Sequence, residues 1–256
     1  RRRPGQSRVT TSRSEADRPR IISGVFDGKT TGAPLAMIIE NTDKDSSKYE
    51  ALKDLFRPGH ADYTFWKKYG HRDYRGGGRS SGRETACRVA AGAVVRSVLE
   101  GRGVDMCAWA EEIAGIRAEK EQLDTIEDNP VRCPDPDAAE RMQEAIERAR
   151  DEEDSVGGVV RLRITDLPAG LGDPVFGKLD ARLSGALMSL GAVKGIEFGA
   201  GFGASRMRGS ENNDEMSAAG FESNKAGGVQ GGISTGQPVE VRLAVKPTPS
   251  IASEQH

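Results

Sequence analysis

Residues 57–84 read Arg57-Pro-Gly-His-Ala-Asp-Tyr-Thr-Phe-Trp-Lys-Lys-Tyr-Gly-His-Arg-Asp-Tyr-Arg-Gly-Gly-Gly-Arg-Ser-Ser-Gly-Arg-Glu84. The stretch holds two histidines, seven arginines or lysines, five aromatics and a triple glycine. A hydrophobic core has little use for that mixture, whereas an anionic ligand with a flat ring does. Gly76, Gly77 and Gly78 free the backbone to turn tightly. Ser81 and Glu84 stand at capping-box spacing, so Ser81 is the expected N-cap of a helix over 83–100. Ala86, Val89, Ala90, Ala93, Val94 and Val98 recur along it at helical spacing and predict one apolar face.

A helix start carries free N–H groups and a partial positive charge. Arg75, Arg79 and Arg83 crowd this one and would repel each other without an anion between them. The alternative is a solvated turn whose arginines pair with Asp73 and Glu84.

Outward from this segment, the order of elements sets the fold class. Arg20 to Phe26 reads as a strand, Asp27-Gly28 as a two-residue hairpin turn, and Leu35 to Glu40 as the return strand. Residues 41–80 read as a long connection with one short helix near 48–56. Its aromatics Tyr63, Phe65, Trp66 and Tyr69 argue against disorder. Val104 to Ile116 reads as a strand, 134–151 as a helix, Gly157 to Thr165 as a strand with Arg161 and Arg163 on one face, Val175 to Leu190 as a helix, and Val193 to Phe198 as a strand. Val239 to Val245 alternates as a half-buried strand does, with a partner expected to end before Ser234-Thr-Gly-Gln237. Mixed helices and hairpin-linked strands predict an α+β fold with antiparallel sheets.

Composition excludes several classes. With 37 Lys plus Arg against 39 Asp plus Glu, the net charge of −2 is no nucleic-acid-binding excess. No apolar run is long enough for a transmembrane helix. Cys87, Cys107 and Cys133 lack metal-ligand spacing, so no metal site is expected, and they fit a reducing, cytoplasmic compartment. The chain begins on Arg1 and ends at His256, soon after a strand. That predicts a single domain over 1–256, truncated at both ends.

Other motifs have competing readings. Gly199-Ala-Gly-Phe-Gly-Ala204 follows a strand but leads into turn chemistry instead of a helix, so a dinucleotide fingerprint is rejected. His60, between Arg57 and Asp62, is either an exposed loop histidine or a proton donor beside the anion site. His71 reads as a surface residue. Lys246-Pro-Thr-Pro-Ser250 is either a rigid surface turn or a fixed edge presenting hydroxyls to a phosphate or polar ring. Asn224 to Gly232 is glycine-rich, but Val229 argues against a pure linker.

Several segments resemble the chorismate synthase family: Arg1-Arg-Arg-Pro-Gly-Gln-Ser-Arg8, Arg57-Pro-Gly-His-Ala-Asp62, Tyr74-Arg-Gly-Gly-Gly-Arg-Ser-Ser-Gly-Arg-Glu-Thr85, Pro168-Ala-Gly-Leu-Gly-Asp-Pro-Val-Phe176, Ser223-Asn-Lys-Ala-Gly-Gly228 and Lys246-Pro-Thr-Pro-Ser250. They occur in the family's order along the whole chain. The resemblance implies a β-α-β sandwich with a helical layer between two antiparallel sheets, usually as a homotetramer. It implies a lyase that converts 5-enolpyruvylshikimate 3-phosphate to chorismate and phosphate by anti-1,4-elimination. The implied cofactor is reduced FMN, supplied from outside, with NADPH as an option for reducing it; no membrane or nucleic-acid partner is implied.

By motif, His60 matches the histidine that protonates the reduced flavin or holds its proton. Arg79, Ser80, Ser81, Gly191, Ala192, Gly231 and Lys246, Pro247, Thr248, Pro249 and Ser250 match flavin-contacting positions. Arg2 and Arg8 match basic positions in the substrate or pyridine-nucleotide region, and Arg57 and Arg83 match arginines holding substrate phosphate and carboxylate. The family's upstream Gly-Glu-Ser-His-Gly and downstream Arg-His-Asp motifs are absent, position 191 is Gly in place of Asn, and position 82 is Gly in place of Ala. The expectation is therefore an active full-length parent and an inactive piece. The runner-up reading is an RNA-binding module built on Arg75-Gly-Gly-Gly-Arg79.

Overall fold

The computed structural model describes residues 3–10, 13, 15–43, 45 and 47–255, the side chains of Lys48 and Arg79 aside. The chain forms two compact units, Arg1–Ser97 with Glu254–His256, and Val98–Ser253.

In the first unit, β1 (Arg20–Ser23) and β2 (Val25–Phe26) form one arm of an irregular hairpin, and β3 (Lys29–Thr30) and β4 (Ala36–Ile38) form the other. β2 pairs with β3 and β1 with β4, both antiparallel. Asp27 and Gly28 at the tip have φ of 48° and 70°. That left-handed pair suits the strand twist, as the Asp-Gly signal predicts.

The region expected as a long connection contains a 3-10 turn at Ser47–Leu52 and a helix, α1 (Asp62–Tyr69), which the sequence reading missed. Asp62 sits in its first turn and Lys67 and Lys68 in its last, matching the helix dipole. Gly70 ends it in the left-handed conformation, its N–H bonded to the Trp66 carbonyl.

α2 (Thr85–Glu100) follows a 3-10 turn at Gly82–Glu84. Ser81 caps that turn, its hydroxyl accepting from the Arg83 N–H at 3.3 Å. Glu84 does not reach back to complete the capping box; it pairs with Arg88 one turn on, at 2.8 Å. Of the expected apolar face only Ala86 is buried, Ala90 and Val94 are half-buried, and Val89, Ala93 and Val98 are exposed.

In the second unit, β5 (Asp105–Ile113) turns through Ala114-Gly115 into β6 (Ile116–Arg117). α3 (Pro136–Asp151) starts at Asp135, whose buried carboxylate accepts from the Asp137 and Ala138 N–H groups. The same carboxylate accepts from Glu119 N at 2.9 Å and Lys120 N at 3.2 Å. Burial alone would raise its pKa, but the Glu119, Ala138 and Lys120 N–H donors and the Lys120 charge prevail and hold it below the usual carboxylate range. β7 (Gly158–Thr165), α4 (Leu179–Met188) and β8 (Val193–Phe198) follow. α4 starts four residues later than Val175, because Asp173 N bonds to the Gly177 carbonyl and holds 173–177 in a turn. After α5 (Gly209–Asn212) come two short ribbons, β9 (Met216–Ser217) with β10 (Gly220–Phe221) and β11 (Val229–Gln230) with β12 (Ile233–Ser234). β13 (Val239–Val245) is last.

The main sheet runs β6-β5-β7-β13-β8, antiparallel throughout. β13 therefore lies between β7 and β8 and does not pair with the strand just before it, correcting the sequence expectation. Its alternation is otherwise as read. Val239, Val241 and Leu243 are buried and join Val193, Ile164 and the α4 leucines Leu179, Leu183 and Leu187 in the core. On the other face, Arg161 and Arg163 both bind Glu240 and Glu121 and lie over the ring of Trp109. The α+β class stands, with one five-stranded sheet and four two-stranded ribbons among the described residues.

Candidate active-site segments

His60 lies on the turn that enters α1. Its backbone N–H bonds to the Arg57 carbonyl at 3.3 Å. The turn is closed by Asp62, whose Oδ2 accepts from Arg57 N at 3.1 Å and Nε at 2.8 Å, and whose Oδ1 accepts from Nη2 at 2.9 Å. Arg72 adds Nη1 to the same carboxylate at 3.1 Å. The fork of Arg57 holds the Asp62 pKa down to about 2, against the opposing effect of burial. In return, that hydrogen bond raises the Arg57 pKa.

The arginines at the α2 start differ from the sequence expectation of unpaired charges awaiting an anion. Arg83 Nη2 meets Glu15 at 2.5 Å and Asp17 at 2.8 Å and donates to the Glu40 carbonyl at 2.9 Å. Arg75 pairs with Asp73 at 3.3 Å. The Arg57 and Arg83 side chains are 20% and 17% exposed, and the Arg57 guanidinium also lies 5.8 Å from the Tyr49 ring centroid. Ser80 donates its hydroxyl to the Gly77 carbonyl at 2.7 Å. Arg8 is described, and Arg2 and the side chain of Arg79 lie outside the described residues.

In the second unit, two segments distant in sequence adjoin. The Lys246 N–H donates to the Ala192 carbonyl at 2.9 Å, so the Gly191-Ala192 turn after α4 lies against the Lys246–Ser250 turn after β13. Ser155 fixes that second turn by donating to the Thr248 carbonyl at 2.7 Å. Gly231 is elsewhere, in the tight turn between β11 and β12. A side chain at Gly191 or Gly231 would meet nothing within 4 Å, which leaves both backbones open to a ligand.

Asp214 is a residue the sequence reading did not single out. Its carboxylate takes the Ser223 hydroxyl at 2.6 Å and the Lys225 and Ala226 N–H groups at 2.6 and 2.9 Å, organising the glycine run that follows. Burial opposes its ionisation, and these donors outweigh burial and lower its pKa. Only an aspartate ahead of a glycine-rich loop hinted at it. A cavity of about 440 Å³ between Thr125 and Glu147 contains none of the residues read as functional.

Each unit thus carries features that suit an anionic ligand, arginines at a helix start in the first and open glycine turns in the second, and the class of the protein, an enzyme, follows from its relatives. The chorismate synthase family model matches residues 1–256. The chain is 56% identical to the chorismate synthase of Syntrophobacter fumaroxidans and 53% identical to that of Methanococcoides burtonii, each match taking in the whole chain and 72% of the relative. A crystal structure of chorismate synthase superposes with a TM-score of 0.76 at 32% identity, covering 90% of this chain and 70% of that one. The chain belongs to the chorismate synthase family, the lyases of the final shikimate-pathway step. No helix among the described residues is long and apolar enough to cross a membrane.

Proposed function

We propose that this chain converts 5-enolpyruvylshikimate 3-phosphate to chorismate and phosphate by anti-1,4-elimination, with reduced FMN as cofactor. The observation that carries the reading is the Lys246–Ala192 hydrogen bond. It joins two segments that were each read, separately, as flavin-contacting.

The residues present suit such a cofactor. Gly191 and Gly231 have no neighbour where a side chain would stand, so a planar ring could approach the backbone closely. In the second unit, Gly191, Ala192, Gly231 and the Lys246, Pro247, Thr248, Pro249 and Ser250 turn are the proposed flavin contacts. In the first, they are Arg79, Ser80 and Ser81. When bound, the reduced flavin supplies transient electron density that helps the C–O bond to phosphate break.

His60 carries the proton that keeps the flavin in its working protonation state, a role imidazole fills near neutral pH. Arg57 and Arg83 are assigned to the substrate's phosphate and carboxylates. A guanidinium already held by carboxylates loses little freedom on binding, and its fixed charge favours the departing phosphate. Arg2 and Arg8 are assigned to the substrate or nucleotide side, and NADPH to flavin reduction. We further assign the chain to a homotetramer acting in the cytoplasm; its three free cysteines support a reducing compartment.

Anaerobic incubation with substrate and photoreduced FMN, read by chorismate absorbance and phosphate release, tests the proposal. Stoichiometric chorismate and phosphate are expected from the full-length parent and loss of both from its His60→Ala variant, and the same assay on residues 1–256 decides the inactivity expected of that piece. Unchanged turnover in His60→Ala would remove the role given to that residue.

A further inference from the structure

Asp62 is the hub of a network larger than its own turn. It accepts from Arg57 three times, through Nε, Nη2 and the backbone N–H. It also pairs with Arg72, and its side chain is only 5% exposed. Arg72, 9% exposed, extends the network. Its Nη2 donates to the carbonyls of Leu52 at 2.9 Å, Lys53 at 2.7 Å and Leu55 at 2.5 Å. Its guanidinium lies 5.3 Å from the Phe56 ring centroid. Phe56 in turn packs against Tyr63 and Trp66 of α1.

The residues from 52 to 62 are therefore fastened at both ends to one carboxylate and one guanidinium. His60 sits inside the loop so closed, between the Arg57 and Asp62 anchors. A carboxylate in a first helical turn has a plain explanation in the helix dipole. The dipole accounts for neither burial nor a bidentate arginine fork. Two guanidinium groups on one carboxylate also leave the cluster with a surplus positive charge where an anionic substrate is proposed to bind.

We propose that Asp62, together with Arg72, is a positioning residue for the elimination, acting through Arg57 and the 57–62 turn to fix His60 and the Arg57 guanidinium. This rests on the proposed function above. The Asp62 carboxylate, held down to about 2, keeps its charge at every pH where the enzyme would work.

The test uses the full chain with Asp62→Asn, Arg72→Lys, the double variant and His60→Ala. Amide hydrogen exchange across residues 53–62 reads the lock directly. Exchange at the Arg57 and His60 amides is expected to rise at least tenfold in Asp62→Asn, with α2 and the sheet unchanged. Turnover is expected to fall at least tenfold in kcat, with a smaller rise in KM, and FMN affinity, read by flavin fluorescence, is expected to fall severalfold. The double variant is expected to be no worse than Asp62→Asn, because the two residues act as one unit. Wild-type exchange, or faster exchange with unchanged kcat and FMN affinity, overturns the proposal. If Asp62→Asn does not fold, Asp62→Glu is read instead, since it keeps the charge on a longer arm. A tenfold loss of kcat at wild-type melting temperature supports the role, and wild-type kcat refutes it. No chorismate from the wild-type chain, or no flavin binding by it, refutes the functional reading itself and the positioning role with it, whereas retained turnover in His60→Ala removes the role of His60 and the positioning of that residue. Loss of activity in His60→Ala beside a fully active Asp62→Asn refutes positioning alone.

Discussion

The backbone N–H of Lys246 donates to the carbonyl of Ala192 at 2.9 Å, joining the end of β13 to the turn after α4. Ala192 adopts φ of 72° to present that carbonyl. Left-handed backbone costs a non-glycine residue about 1–2 kcal/mol and is worse for β-branched side chains.

Ala192→Val should therefore lower stability by about 1–2 kcal/mol, while Ala192→Gly should stay within about 1 kcal/mol of wild type. Urea denaturation reads both. If the turn also carries flavin, Ala192→Val weakens FMN binding severalfold and Ala192→Gly does not. Equal stability of the two variants would show that this backbone conformation is unimportant.

Arg83 is clamped by Glu15 and Asp17, whose side chains are 1% and 4% exposed. Removing one member of a buried charge network leaves the others uncompensated, at about 3 kcal/mol or more. Arg83→Gln should lose roughly that much stability. Adding Glu15→Gln and Asp17→Asn to Arg83→Gln should restore most of it, since the three charges of the clamp then disappear together and only Arg13, 37% exposed and 3.5 Å from Glu15, loses a partner. Denaturation of the single and triple variants decides; a triple variant less stable than Arg83→Gln would contradict the coupling.

That clamp also marks where sequence reading stops. Local spacing offered Asp73 and Glu84 as partners for the arginines at the helix start. Asp73 does take Arg75, and Glu84 takes Arg88. The partners of Arg83 come from the far end of the first unit, and no periodicity encodes a contact across so many residues. β13 gives the same lesson: its alternation identified the strand and its buried face, but its place between β7 and β8 is a long-range pairing. Short-range signals did better. Asp27-Gly28 was read as built, and the helix read over 134–151 contains α3. α1 escaped because eight residues rich in aromatics carry no helical stripe, and only the Asp62, Lys67, Lys68 and Gly70 terminal signals pointed to it.

Asp62 gives stability an acid dependence of definite sign. Its folded pKa is about 2 against an ordinary 3.8. The stabilisation is therefore complete above pH 4 and is lost as pH falls from about 4 to 2, when the unfolded chain takes up the proton first. The shift corresponds to about 2 kcal/mol. Asp62→Asn should flatten the stability profile in that window by this amount and leave its slope above pH 5 untouched. Urea midpoints measured from pH 2 to 6 provide the check, and an unaltered acid slope would mean the ion pair forms in the unfolded chain as well.

Gly199 and Gly227 face each other in the second unit, with φ of 52° and 64°. A side-chain carbon on Gly199 would collide with the Lys225 carbonyl and the Gly227 nitrogen, and one on Gly227 would collide with Gly199 in return. The glycines that imitate a dinucleotide fingerprint thus serve backbone packing against the Asn224–Gly232 run. Gly203, in the same motif, has an ordinary φ and no neighbour within 4 Å of such a carbon. Gly199→Ala should combine left-handed strain with overpacking, for a loss of about 3 kcal/mol. Gly203→Ala should stay within about 0.5 kcal/mol of wild type. Because Asp214 holds the Lys225 and Ala226 N–H groups, the Gly199 variant should also raise amide exchange across residues 223–228. Comparable stability of the two variants would mean that the glycine run yields freely, and would remove the packing role given to Gly199.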